Sequence, residues 1–188
     1  MAQMVLDLKK EAGYKAGKQA RLLQLAPARY LAVDGVGDPN TSPAYTQALS
    51  LLYPAAYKLK FASKAAGANY VVPPLEGLWH ASDMDAFLRR EKSAWQWTML
   101  LRIPQIATEP QQLDPRITVR TLEEGLAFQV LHTGPYDAEG PVIAALHEHI
   151  VSQGYALAGE HHEIYLSDPR RSAPEKLRTI LRQPVEKK

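Results

Sequence analysis

The chain has 188 residues, a length that fits one domain or two half-sized repeats around a shared core. With 46% hydrophobic and 22% charged residues, its composition excludes a disordered chain. The absence of cysteine excludes disulfides and thiol catalysis, and no apolar run approaches the roughly 20 residues that a membrane span needs. The start of the chain lacks the apolar core of a signal peptide, so we expect a cytoplasmic protein that does not bind membranes.

Charge is distributed unevenly along the chain. The net charge is +2, but residues 1–21 carry +3 and residues 170–188 carry +5, which leaves −6 for the residues between them. A nucleic-acid reader is expected to have a basic body rather than basic ends. The distribution therefore predicts no direct nucleic-acid binding and favours cationic or neutral ligands, unless the ends are merely solvated.

The first half of the chain predicts an arm, a strand and a long helix. Residues 1–22 have no steady hydrophobic period and are expected to form an extended N-terminal arm. A strand is predicted from Ala28 to Val33, and a helix is predicted to begin at Pro43 after a turn. Pro54 lies within that helix and predicts a kink or a restart there.

Two further strands are predicted after the helix, and both carry tryptophan. Leu75–Trp79 and Trp95–Ile103 show the two-residue alternation of half-buried strands. Gly77 leaves room beside a large ring, and the tryptophans either fill the core or form the wall of a pocket. Between these strands, a short helix is possible around Asp83–Leu88.

The second half repeats this order after a proline-rich crossing at residues 104–116. A strand is predicted over 126–133, a helix over about 138–152 and a strand over 161–166. The sequence Ser-Ala-Pro-Glu at 172–175 resembles a capping box and predicts a C-terminal helix over about 172–182.

The order strand-helix-strand-strand thus occurs twice. We predict an α+β fold of duplicated β-α-β-β modules related by a pseudo-two-fold axis, with an antiparallel sheet and the helices on one face. The domain is expected over residues 23–188, with repeat one over about 25–103 and repeat two over about 117–168. A ligand groove is expected between the repeats.

The predicted strand at 161–166 carries the most reactive pair of side chains. With a two-residue period, Glu163 and Tyr165 share one face and lie roughly 6 to 7 Å apart, close enough to contact one small molecule, while His162 points to the other face. The alternative is an edge strand whose outer face is solvated.

Several segments together resemble the GyrI-like small-molecule-binding domains, which are related to the effector-binding domains of multidrug-responsive regulators. The resemblance spans about residue 20 to the C-terminus. Its most specific part is the last block together with Glu76–Trp79. The segments are Tyr30–Gly35, Pro74–Trp79, Trp95–Thr98, His132–Tyr136, His161–Arg171 and Ala173–Leu177.

The resemblance implies a groove lined by aromatic residues with a buried glutamate on the last strand, which Glu163 matches. It also implies similarity to hydrolases of cyclopropane-bearing DNA-alkylating natural products. Opening a spiro-cyclopropane dienone needs a base that activates water and a donor to the developing phenolate. Glu163 or Glu76 is the expected base if burial raises its pKa, and Tyr136 or Tyr165 is the expected donor.

Aromatic side chains are expected to hold the flat body of such a ligand by stacking. The predicted ligand-binding residues are Trp79, Trp95, Trp97 and Tyr45. The competing hypothesis is a non-catalytic multidrug binder or sequestering protein, in which the same glutamate neutralises a cationic aromatic compound.

A metal site and a cofactor are not expected. His147 and His149 lie two apart on a helix and point to different sides, so they cannot chelate one ion together. His161 and Glu163 could share a strand face with only His132 as a further ligand on a strand. The ligand is therefore predicted to be an organic small molecule, and the protein a monomer or homodimer.

Overall fold

Within its described residues, the protein forms one antiparallel sheet and two helices. The computed structural model describes residues 4–80 and 92–188, so the helix expected around Asp83–Leu88 lies outside the described residues. The helices are α1 (Pro43–Ala65) and α2 (Gly140–Ser152). The strands are β1 (Arg21–Leu25), β2 (Ala28–Val36), β3 (Leu75–His80), β4 (Gln96–Ile103), β5 (Thr118–Leu122), β6 (Gly125–Thr133), β7 (Tyr155–Leu157), β8 (His161–Tyr165) and β9 (Arg178–Lys187).

The sheet follows the order β1-β6-β9-β8-β3-β4-β2-β5, with β7 added against β9, and all these pairings are antiparallel. The predicted α+β class with an antiparallel sheet is confirmed. Counted outwards from the contact between β8 and β3, the third strand on one side is β2, which precedes α1, and the third on the other side is β6, which precedes α2. The duplication of the two halves stays a prediction.

Both helices pack on the same face of the sheet, as predicted. Helix α1 buries Leu52, Ala56 and Leu59 at helical spacing, and α2 buries Leu146 and Ile150. These side chains form one core cluster with sheet residues such as Met99 and Leu181. We call this side of the sheet the helix face.

Helix α1 runs unbroken through Pro54, so the predicted restart is wrong. Proline removes one hydrogen bond from the helix interior. Leu52 and Ala56 are buried on either side of it, and this packing holds both segments of the helix against the sheet.

The N-terminal segment forms turns that pack on the sheet, so the prediction of an extended arm is wrong. Residues 8–10 and 12–14 form short 3-10 turns, and Leu8 and Tyr14 are buried in a second cluster with Ile164 and Ile180. This segment covers the side of the sheet opposite the helices, which we call the arm face. The missing hydrophobic period reflects its turns, because each contributes one apolar side chain to the sheet.

The predicted C-terminal helix is also wrong. Only Pro174–Lys176 forms a 3-10 turn, and residues 178–187 form strand β9. This strand lies between β6 and β8, and the residues from Thr179 to Val185 are buried. Pairing on both sides overrides the local capping signal, so the second half of the sheet extends well beyond residue 168.

Candidate functional site

Strands β3 and β8 lie side by side at the centre of the sheet and distribute their side chains over both faces. Gly77 pairs with Glu163, and Glu76 pairs with Ile164. Because paired residues of neighbouring strands share a face, Glu163 lies on the helix face and Glu76 on the arm face. The prediction that both glutamates line one groove is therefore wrong.

Glu163 is held by hydrogen bonds on the helix face. Its side chain is 8% exposed, and its Oε1 lies 3.1 Å from Nε2 of His161. Its Oε2 accepts a hydrogen bond of 2.7 Å from the Tyr165 hydroxyl. Residues 161, 163 and 165 share a face because they alternate along β8, so one strand supplies the carboxylate and two of its partners.

These contacts determine the charge state of Glu163. Burial raises its pKa, but the hydrogen bonds and the attraction from His161, with the hydrogen bond from Tyr165, outweigh burial and lower the pKa below its ordinary value. The expectation that burial would raise the pKa is thus wrong. Glu163 is an anion at neutral pH and an acceptor of hydrogen bonds.

Sequence reasoning missed a second acid at this position, Glu139. It precedes the first residue of α2, is 4% exposed and forms a hydrogen bond with Glu163. A hydrogen bond between two carboxyl groups requires a proton on one of them. The sequence signal for it is a glutamate directly before Gly140-Pro141 at the start of a helix. Because the helix was predicted to begin near residue 138, Glu139 was placed inside the helix and not at its start.

Tyr165 connects Glu163 to the aromatic residues. Its hydroxyl accepts a hydrogen bond of 3.0 Å from Nε1 of Trp79. A Cβ atom on Gly77 would lie 3.0 Å from that Nε1 and 3.1 Å from the Tyr165 hydroxyl. The predicted role of Gly77 in leaving room beside a large ring is confirmed. Because the Tyr165 hydroxyl donates its hydrogen bond to Glu163, it orients the carboxylate and does not donate to a ligand.

The predicted aromatic residues fall into two depths. Trp79 and Trp95 pack edge to face with ring centroids 5.4 Å apart, and each is 7% exposed. Tyr45 is half-buried and packs on Trp97 in the same way, whereas Trp97 is 1% exposed. All three tryptophans belong to the buried core cluster on the helix face, and Trp97, the most deeply buried of them, supports Tyr45 from below.

Tyr136 completes this side of the site. Its half-buried ring lies edge to face against Tyr165, with centroids 5.7 Å apart. Burial, with repulsion from Glu139 and Glu163, raises the pKa of Tyr136 to about 12. Burial also raises the pKa of Tyr45, so both hydroxyls keep their protons at neutral pH and can donate to a ligand.

Glu76 belongs to a separate polar network on the arm face. It accepts a hydrogen bond of 2.5 Å from the Tyr14 hydroxyl and lies 2.7 Å from Nε2 of His162. Nδ1 of His162 lies 2.6 Å from Glu124, which also accepts a hydrogen bond from Arg182. Glu76 is 1% exposed, so it cannot act as a base on the helix face.

The charges of this network stabilise one another. Burial lowers the pKa of His162, but attraction to Glu124 and hydrogen bonds with Glu124 and Glu76 outweigh it and raise the pKa to about 9. Burial raises the pKa of Glu124, but attraction to His162 and Arg182 lowers it to about 2. His161 and His162 are thus hydrogen-bonding residues on opposite faces of β8.

Comparison with known proteins identifies the family. Residues 18–186 match the GyrI-like small molecule binding domain. The chain belongs to the GyrI-like family. The coarse prediction of a small-molecule-binding domain is confirmed.

Several solved GyrI-like structures resemble this chain over nearly its whole length. An uncharacterized conserved protein from Listeria innocua is 33% identical, with a TM-score of 0.84, and the match covers 96% of this chain and all of that one. A structure described as a hydrolase from Listeria innocua is 32% identical, with a TM-score of 0.81 and the same coverage. The EcmrR C-terminal domain shares the fold alone, at 16% identity and a TM-score of 0.65, with 90% of this chain and 98% of that one covered.

No curated protein matches the GyrI-like chain. Within the described residues, neither helix combines the length and the apolar character that a bilayer crossing requires.

Proposed function

We propose that this GyrI-like domain binds flat, hydrophobic aromatic compounds on the helix face and adds water to those that carry a strained cyclopropane, as a detoxification step. The observation that carries the proposal is the arrangement of Glu163 among Tyr165, Trp79 and Tyr136. It joins a buried carboxylate to aromatic rings and to the phenol of Tyr136, whose hydroxyl forms no hydrogen bond within the described residues. Likeness to the Listeria innocua hydrolases at 32% identity supports a hydrolytic reaction.

The aromatic residues hold the ligand. Trp79, Trp95 and Tyr45 present edges and faces that favour an aromatic body by offset or edge-to-face packing. Tyr45 packs on Trp97, and Trp79 donates a hydrogen bond to Tyr165. Because these contacts already restrict both rings, the rings lose little conformational freedom when a ligand binds.

Glu163 positions the water and receives its proton. Water attacks the unsubstituted cyclopropane carbon, a C–O bond forms, and the C–C bond to the spiro carbon breaks, with its electron pair moving into the dienone to give a phenolate. The water becomes strongly acidic as the C–O bond forms, so a carboxylate with a lowered pKa still accepts its proton. His161 keeps Oε1 of Glu163 oriented during this step.

Tyr136 stabilises the developing phenolate. Its hydroxyl is protonated at neutral pH and forms no hydrogen bond among the residues that the structure describes, so its proton is available to the ligand oxygen. Tyr165 does not take this role because its hydroxyl already donates a hydrogen bond to Glu163. Hydrogen bonding to the carbonyl before attack also weakens the strained bond.

A second candidate function rests on the charge of Glu163. A buried anion surrounded by aromatic rings is a suitable site for a cationic aromatic compound, which it neutralises while the rings supply cation–π attraction. In that case the domain sequesters cationic compounds without chemistry, and its ligand leaves unchanged.

Mass spectrometry of a spiro-cyclopropane dienone incubated with the purified protein tests the proposal. We expect a product heavier by one water. Glu163→Gln should reduce its rate of formation by about a hundredfold or more, because general base catalysis contributes on the order of 10²–10⁴. Glu148→Gln changes an exposed glutamate of α2 and serves as the matched control with the unmodified rate.

The same samples separate the two functions. If the dienone stays unmodified, and if the protein binds the cationic dye ethidium but the Glu163→Gln variant binds it more weakly, the protein is a binder. That result would refute the hydrolase. A water-added product that forms equally fast with Glu163→Gln would refute the role of Glu163. Tyr136→Phe should slow product formation without weakening ethidium binding.

A further inference from the structure

A second cavity lies on the arm face, behind the sheet from the proposed ligand site. Its volume is about 200 Å³, and it opens between the N-terminal segment, β1 and the end of β5. Its lining combines the apolar side chains of Leu23, Leu25 and Leu122 with buried polar ones, among them Tyr30 and Glu76. This volume exceeds what a single water molecule needs and has room for a small organic molecule.

Tyr30 points an unused hydroxyl into this cavity. The residue lines the cavity and is 3% exposed. Its ring packs edge to face against His162, and its hydroxyl forms no hydrogen bond within residues 4–80 and 92–188. Buried polar groups nearly always have a hydrogen-bond partner, and this hydroxyl, which lines the cavity, has room there for water or for a ligand atom.

Arg102 lies directly opposite Tyr30 on the neighbouring strand β4. Cross-strand partners have Cβ atoms about 5 Å apart, so the guanidinium and the phenol reach the same ligand. Arg102 donates to Glu11 over 2.9 Å and lies 5.7 Å from the ring of Tyr14. Glu11 belongs to the N-terminal segment and its side chain is 45% exposed.

Among the described residues that line the cavity, Arg102 is the cation whose charge partner an incoming anion can displace. Glu76 and Glu124 are matched by His162 and Arg182 inside the network described above. Arg102 remains, and the half-exposed carboxylate of Glu11 is its charge partner. Exposed ion pairs contribute little stability, so a better-placed anion can displace Glu11 into solvent.

We propose that this cavity is a second ligand site, which takes a small carboxylate with a short apolar chain. The carboxylate replaces that of Glu11 on Arg102 and accepts the hydrogen bond of the Tyr30 hydroxyl. The chain lies against Leu23, Leu25 and Leu122. The site does not depend on the function proposed for the helix face.

Titration of the unmodified protein with butyrate at pH 7, followed by amide chemical shifts in two-dimensional NMR, tests this site. We expect saturable shifts at Gly13, Leu23 and Leu122, which surround the cavity, and none at Trp79 on the other face. Butan-1-ol and butylamine have the same chain without the anion and should bind at least tenfold more weakly. Equal binding of butan-1-ol, or no saturable shift with butyrate, would overturn the proposal.

Variants of the residues around the cavity separate a built site from adventitious binding. Glu11→Ala removes the competing carboxylate and should tighten butyrate binding by about two- to fivefold, the value of a typical exposed pair. Arg102→Gln should abolish binding, and Tyr30→Phe should weaken it several-fold. Glu109→Ala breaks a comparable exposed pair with Arg29, and because neither residue lines the cavity it should change nothing.

Glu11→Ala changes an exposed side chain, so it tests the site even if the buried variants fold poorly. Unchanged butyrate affinity in Glu11→Ala would refute the displacement of Glu11. Unchanged affinity in folded Arg102→Gln would refute the site itself.

Discussion

The buried cation on the arm face predicts that the protein loses stability as pH rises from about 6.5 to 9. The pKa of His162 is about 9 in the folded chain and 6.5 in its ordinary state. Because the folded value is higher, the contribution of His162 to the free energy of unfolding is complete below about pH 6.5 and is lost as pH rises through about 9.

The size of the effect follows from the pKa difference. At about 1.4 kcal/mol for each pH unit, a difference of about 2.5 corresponds to about 3 kcal/mol. His162 is fully buried, so solvent does not reduce this value. The lowered pKa of Glu124 reports the same attraction from the other partner and is not added to it. The half-buried His147, whose pKa is about 4, affects stability only below about pH 6.5.

Urea unfolding of the unmodified protein at intervals between about pH 6 and 9.5 measures this loss. In Glu124→Gln the main attraction on His162 is removed, so its pKa falls toward the ordinary value and the pH dependence flattens. Glu123→Gln changes the exposed neighbouring carboxylate and should keep the full dependence. A free energy of unfolding that changes by less than about 1 kcal/mol over this range would show that His162 is not a buried cation.

Two further predictions concern the helix face. Gly35→Ala should lower stability by about 1–3 kcal/mol or more in thermal unfolding, because its Cβ would lie 2.1 Å from the Trp97 ring. The control Gly17→Ala should be tolerated, because no atom lies within 4 Å of a Cβ at that position. Equal melting temperatures of the two variants would contradict this prediction. Tyr165→Phe removes a hydrogen bond to Glu163, so the pKa of Glu163 should rise and its carboxylate should protonate at higher pH. A titration followed by ¹³C NMR of the side-chain carboxyl measures this change. An unchanged titration would refute the role of Tyr165.

The sequence by itself determined the elements with regular hydrophobic spacing. The stripe of α1 and the alternation of β4 predicted their structures because burial on one side imposes a fixed period. The same alternation along β8 placed Glu163 and Tyr165 on one face, which the structure confirms. Local residue chemistry was sufficient wherever a single element decided the outcome.

Tertiary pairing decided the rest. Residues 178–187 became a strand because β6 and β8 offer hydrogen bonds on both sides, which a local capping signal cannot reveal. The antiparallel register of β3 against β8 put Glu76 and Glu163 on opposite faces, and a shift of one residue would have reversed that. The hydrogen bonds that lower the pKa of Glu163 come from His161, Tyr165 and Glu139, and the last is brought there from another element by packing of α2. A residue's environment depends on which strands become neighbours, and one strand's sequence does not contain that information.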